Sequence, residues 1–282
     1  MRNPYRTQKI AFFFLLAATL LIVVPVGLIV VVIIQKGLPA ITWQFISDIP
    51  RQGMRSGGIF PAIVGTIYLV TGAIIFALPI GLFSAIYLSE YARDNLLTRL
   101  IKLAIVNLAG VPSVVYGLFG LALFVVFFKF GVSILSGSLT LGIMILPIII
   151  TASREALESV PQSFREVSLS LGASKWQTIR HIVLPNAIPG ILTGTILGLG
   201  RAAGETAPIL FTVAAFYLPQ LPKSLFDQAM ALPYHLYVIS TQVPNVDEKV
   251  RYGTAFVLLA LVLFMNLVAI IIRYRFRKQK KW

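Results

Sequence analysis

Arg201 and Glu205 put a guanidinium and a carboxylate four residues apart inside an otherwise apolar stretch of the chain. On a continuous helix such a pair shares one face. Arg201 follows Ile188 by 13 residues, about 20 Å at ~1.5 Å per residue, so it falls deep within a bilayer crossing. A charge at that depth is costly unless it is paired or wetted. Two readings fit. Arg201 offers a bidentate fork to an oxyanion, with Glu205 orienting it or accepting a hydrogen bond from a protonated phosphate; or the two charges neutralise each other between packed helices. The small residues around them, Gly198, Gly200, Ala202, Ala203 and Gly204, permit close helix approach or exposed backbone in either case.

A second constellation follows Arg154. Ser163-Phe164-Arg165-Glu166 reads as a capping box, after which Phe164, Val167 and Leu171 fall on one helical face. Gly172 suits the left-handed residue that ends such a helix. Ser174-Lys175-Trp176-Gln177 reads as a second capping box; Trp176, Ile179 and Val183 mark the next apolar face, and Pro185 ends it. Two short amphipathic helices thus meet at a glycine turn, with Arg165, Lys175 and Arg180 near their polar faces. Such a hairpin either lies on lipid headgroups or docks onto another protein.

Other chemistry is sparse. There is no cysteine, which excludes disulfides and thiolate metal sites. His181 and His235 fall on opposite sides of the membrane, cannot share a metal, and read as polar surface residues. No G-x-x-x-x-G-K-[ST] phosphate loop is present, so an ATPase activity would have to come from a partner. No nucleophile–base pair or paired-carboxylate site suggests an enzyme.

The elements that must hold these groups are membrane helices. Apolar residues make up 57% of the 282 positions and charged residues 12%, more apolar surface than one soluble core hides. A crossing takes about 20 helical residues. Six stretches suffice: Ile10–Ile34, Ile59–Ser89, Leu103–Phe128, Gly131–Ser153, Ile182–Gly200 and Tyr252–Ile272. The first reads as a retained anchor helix, not a cleaved signal. The net charge of +14 would suggest nucleic acid on a soluble chain. Here the basic residues flank apolar spans, and topology explains them. With a cytoplasmic N-terminus, 16 of the 24 basic residues, among them Arg2, Lys280 and Lys281, fall inside and 7 outside, Arg201 being the remainder. Both termini are therefore expected to be cytoplasmic. Gly110-Val111-Pro112-Ser113 interrupts the third stretch and predicts either a proline kink or broken backbone lining a pathway.

Family resemblance enters with the hairpin. Glu166-Val167-Ser168, then Gly172, Ile182 and Leu184-Pro185, is similar to the E-A-A-x3-G-x9-I-x-L-P loop of ABC importer permeases, with the two alanines replaced by Val167 and Ser168. Gly200-Arg201-Ala202-Ala203-Gly204-Glu205-Thr206-Ala207-Pro208 resembles the G-R-A-x-G-E-T-A-P string of the phosphate-specific PstA permeases. The likeness runs from about Gly57 through Ala85–Ala92, Gly110–Gly120 and Ala231–Tyr237 to the basic tail.

This resemblance implies an all-α polytopic membrane protein with six transmembrane helices, the last five forming the MetI-like importer core, in the bacterial inner membrane. It divides the chain into an anchor helix and external loop (1–56), a permease domain (57–273) carrying the coupling hairpin 154–186, and a basic tail (274–282). It implies ATPase coupling through Glu166, Ser168, Gly172, Ala173, Trp176, Arg180, Leu184 and Pro185. Arg201 and Glu205 are the transport residues it implies, with Gly204, Thr206, Pro112 and Ser113 as further pathway candidates. It implies a PstC-like sister permease, a PstB-like ATPase dimer that binds ATP and Mg, a PstS-like external binding protein, membrane lipid and inorganic phosphate as partners. No cofactor is expected in this chain, and no nucleic acid. An importer of another oxyanion, an ion-coupled secondary transporter, or a membrane scaffold or sensor are the alternatives.

Overall fold

The computed structural model describes residues 4–278. Arg2, Lys280, Lys281 and the last four positions of the basic tail lie outside the described residues. Helix α1 (Pro4–Gly37) opens the chain, with its hydrophobic surface almost entirely exposed, as suits an anchor whose solvent is lipid. The first external loop holds α2 (Trp43–Ser47), capped by the Thr42 hydroxyl, and a small antiparallel pair, β1 (Pro50–Arg51) and β2 (Ser56–Gly57). Helix α3 (Phe60–Ile86) continues into a π-helical turn, Tyr87–Tyr91.

The third apolar stretch is broken as the glycine and proline require. Helix α4 (Leu96–Ala109) and α5 (Ser113–Gly120), the latter extended by a π-helical segment to Phe127, meet at 103°. That angle decides for a broken span over a simple kink. Then come α6 (Ile134–Glu158), the hairpin helices α7 (Gln162–Ser170) and α8 (Lys175–Thr178), α9 (Leu184–Gly204), α10 (Ala207–Thr212), α11 (Leu232–Thr241) and α12 (Glu248–Lys278). Among the described residues five helices are long and apolar enough to cross a membrane, and the bent pair taken as one span makes six.

Facing residues give the directions. Gly72 of α3 faces Ser138 of α6, and Gly81 faces Ile149, so these two helices run parallel. The intervening α4–α5 pair must therefore return the chain across the bilayer. Gly190 faces Ala156 and Gly194 faces Ala152, which makes α9 antiparallel to α6, and Gly37 faces Tyr252 and Phe256, which joins the outer ends of α1 and α12. Helices α3 and α6 form the centre of the molecule. The main core gathers Leu69, Ala73, Leu141, Met144, Ile145 and Ile149 around them, and a second cluster at the cytoplasmic end joins Ala85, Ile86 and Leu157 to Ile179 and Val183.

Two expectations about helix ends fail. Helix α7 begins at Gln162 with Pro161 as its N-cap (φ −55°, ψ 138°). Ser163 therefore falls inside the first turn, and the Ser163–Glu166 box does not form. Pro185 does not end the second hairpin helix: a π-helical turn, Ile179–Val183, carries α8 into α9, and Lys175–Gly204 is a single 30-residue element. The π turn shifts the hydrogen-bond register where proline lacks its N–H, and the Asn186 side chain donates to the Ile182 carbonyl at 2.8 Å.

Candidate functional site

Arg201 sits on the last turn of α9, and the helix stops at Gly204. Glu205 is the first residue of extended backbone (φ −78°, ψ 136°), Thr206 turns the chain, and Pro208 lies in the first turn of α10. The two charges form an ion pair, Arg201 Nε to Glu205 Oε1 at 3.5 Å, with the side chains 31% and 18% exposed. The expected pairing is present, but across a helix end instead of along one uninterrupted face.

The depth of this pair follows from its neighbours. Arg273 at the cytoplasmic end of α12 donates to the Thr193 hydroxyl at 3.1 Å. Arg201 lies eight residues further along α9, about 12 Å at ~1.5 Å per residue. From the other side, Ala203 packs on Val70, ten residues into α3 from its outer end, about 15 Å by the same rise. Both routes end near the middle of a hydrocarbon layer about 30 Å thick.

Two breaks in helical structure meet here. Helix α5 packs directly on α10 at Gly117, where a side chain would strike Phe211, the Ala207 carbonyl and the Cα of Pro208, each within 3.0 Å. Tyr116, 5% exposed, shares the main core with Ala202 and Ile209 and lies within electrostatic reach of Arg201. Its hydroxyl donates to the Leu108 carbonyl at 2.7 Å. Pro112 is exposed and Ser113 half-buried at the start of α5, one turn before Tyr116. Gly204 is exposed, with open space around it. Interrupted helices with polar ends in mid-membrane are tolerated where they line a cavity or a protein contact.

The hairpin forms the second half of the site. Ser174 and Gln177 make the expected capping box, and Gly172 takes φ +85° in the turn. The Ser168 and Thr178 hydroxyls are bonded at 2.9 Å and tie the two arms together. Val167, Leu171 and Trp176 are 61%, 83% and 46% exposed. A groove of about 600 Å³ runs past Phe164, Val167, Leu171, Ala173 and Ile182. Glu166, Arg180 and Pro185 are exposed around it, while Leu184 packs inward against the cytoplasmic cluster. Apolar side chains this exposed on a cytoplasmic projection suit a protein contact.

Two features escaped sequence reasoning. Glu90, on the π-helical turn after α3, pairs with Arg165 of α7: Nη2 to Oε1 is 2.7 Å and Nε to Oε2 is 3.2 Å, with side chains 7% and 12% exposed. The partners are 75 residues apart, and no local spacing signals them. His235 is the other. Instead of lying on the surface it is 2% exposed in α11, its Nδ1 has no partner, and burial lowers its pKa to about 4. His181 is exposed, with Nδ1 3.1 Å from the Gln177 carbonyl. Among the described residues no cluster of three His, Cys, Asp or Glu could hold a metal.

Residues 77–281 match the family described as "Binding-protein-dependent transport system inner membrane component". A probable ABC transporter permease protein, YqgI, of Bacillus subtilis is 34% identical over 86% of this chain and 87% of its own length. Phosphate transport system permease protein PstA 1 of Mycobacterium tuberculosis is 36% identical over 78% of this chain and 71% of its own. Among solved structures, a bacterial ABC transporter involved in alginate import superimposes with a TM-score of 0.63 at 13% identity, covering 96% of both chains. An inward-facing MetNI methionine transporter gives 0.62 at 16% identity, over 77% of this chain and 97% of that one.

Proposed function

The chain belongs to the family of inner-membrane components of binding-protein-dependent transport systems, and on that premise we propose that it is the permease subunit of an ATP-driven importer of inorganic phosphate. The observation that carries this reading is the Arg201–Glu205 pair, partly exposed on the face of one subunit at mid-bilayer depth. Lipid is a poor neighbour for it. A second permease facing it across a wetted pathway is a good one, so this chain supplies half of the conduit. Arg201 offers the oxyanion a charged fork, and Glu205 holds that fork and accepts a hydrogen bond from a protonated phosphate, a bond that sulfate cannot donate. Relatives described as phosphate transport permeases support the substrate assignment.

The partners follow from the same reading: a PstC-like sister permease, a PstB-like cytoplasmic ATPase dimer carrying ATP and Mg, and a PstS-like external binding protein that delivers phosphate. Residues 57–273 form the transport domain, 1–56 the anchor with its loop, and 274–282 a basic cytoplasmic tail. Gly204, Thr206, Pro112 and Ser113 line the route beside the charged pair. The ATPase grips the hairpin through Glu166, Ser168, Gly172, Ala173, Trp176, Arg180 and Pro185, with Leu184 anchoring the hairpin from within. When it closes on ATP it draws the hairpins of both permeases together, α9 moves with the hairpin's second arm because the two are one continuous helix, and the pathway opens outward. The test is uptake of labelled phosphate in a strain lacking this chain. The full chain restores uptake and competes poorly with sulfate; a chain deleted for residues 163–183 reaches the membrane, fails to retain the ATPase and restores nothing. Retention of the ATPase by the deleted chain would overturn the docking assignment.

A further inference from the structure

The Glu90–Arg165 pair does more than close a surface. Arg165 divides its guanidinium between two places. It holds both carboxylate oxygens of Glu90 on the π-helical turn after α3, the Leu157 carbonyl at 2.9 Å and the Val160 carbonyl at 2.7 Å. Leu157 lies in the last turn of α6 and Val160 two residues past its end. Next to it, the Lys175 ammonium lies 4.9 Å from the Tyr91 ring, joining the second arm of the hairpin to the same turn. The hairpin is thus fastened to the ends of α3 and α6, the two helices at the centre of the bundle, by a fork that is buried and fixed in direction. Helix α9 carries the hairpin's motion by continuity of backbone; α3 has no such continuity with it.

We propose that Glu90 and Arg165 are positioning residues that transmit the hairpin's movement to α3, so that ATP hydrolysis without this pair is idle. The inference rests on the importer reading above, and deepens it by assigning the connection between the docking element and the pathway helices. An interaction that serves only to hold the fold lowers the amount of assembled complex and leaves each assembled complex with its normal stoichiometry of transport. A transmission link changes that stoichiometry.

The experiment uses the complete complex in proteoliposomes, with labelled phosphate uptake and ATP hydrolysis measured in the same vesicles and both normalised to assembled complex. Glu90→Gln, which removes the charge and one of the two acceptor oxygens, lowers phosphate moved per ATP by about tenfold, within the usual range of coupling between sites, while the ATPase stays bound and hydrolyses ATP. An unchanged ratio per assembled complex overturns the proposal. Because the chain has no cysteine, a second variant decides even if Glu90→Gln assembles poorly. Glu90→Cys with Arg165→Cys is uncoupled as made, and a short bis-thiosulfonate bridge between the two sulfurs restores the ratio. A bridged protein that stays uncoupled overturns the proposal. A wild-type complex that moves no phosphate, or binds no ATPase, would instead sink the importer reading itself.

Discussion

The Tyr116 hydroxyl reaches back over the broken span to the Leu108 carbonyl, 2.7 Å away and eight residues earlier. It adds a second donor to a carbonyl in the last turn of α4 that also accepts from the Val111 N–H at 3.1 Å, and it does so on a side chain within electrostatic reach of Arg201. One bond therefore fixes the sharp turn and sets the wall of the charged site. Removing it with Tyr116→Phe loses one hydrogen bond while the Leu108 carbonyl keeps the Val111 N–H, at a cost of about 0.5–1.5 kcal/mol. Thermal unfolding of the purified complex should show the loss, with reduced uptake per complex. Wild-type unfolding would mean that the turn holds without the hydroxyl.

The hairpin turn depends on one backbone conformation. Gly172 has φ +85° and open space around it, so a methyl group meets no clash, and the cost of Gly172→Ala is that of the left-handed region alone, about 1–2 kcal/mol. The expected result is an ATPase that dissociates roughly fivefold or more faster from the permease, by the conversion of about 1.4 kcal/mol per decade. Asparagine, which tolerates that region better, should retain more of the contact than alanine does. Equal retention by all three residues would remove the turn from the docking account.

How much of this was legible in the sequence depends on how local its cause is. The break at Gly110–Pro112 was, because glycine and proline act on their own backbone. So was the Ser174–Gln177 box, a contact between residues three apart. The Ser163–Glu166 box has the same spacing and fails because Pro161 starts the helix two residues earlier. Pro185 misled because the π-helical turn before it absorbs the missing N–H. The end of α9 beside Arg201 was missed, because the four-residue spacing of the charges argued for unbroken helix. Glu90–Arg165 and the burial of His235 come from elements far apart in the chain, and nothing local encodes them.

His235 makes stability depend on pH. Its pKa is about 4 in the fold because burial disfavours the cation, against about 6.5 in an unfolded chain. Above pH 6.5 both states are neutral and the group has no effect. As pH falls from 6.5 towards 4 the unfolded chain takes up the proton and the fold does not, so stability drops, by about 2 kcal/mol at pH 5. The melting temperature of the wild type should fall between pH 7.5 and pH 5 by more than that of His235→Gln. Parallel curves would contradict a buried neutral imidazole.

The central claim is that Arg201 faces a route for anions. The direct measurement is initial uptake of labelled phosphate by proteoliposomes holding the whole complex, with wild type and Arg201→Gln compared at equal amounts of assembled complex and bound ATPase. Glutamine removes the charge and the fork. Because a hydrogen bond to a charged group contributes about 1.5–3 kcal/mol, uptake should fall by at least about tenfold with assembly intact. Uptake equal to wild type in an assembled complex would mean that the guanidinium only balances Glu205, and that phosphate passes elsewhere.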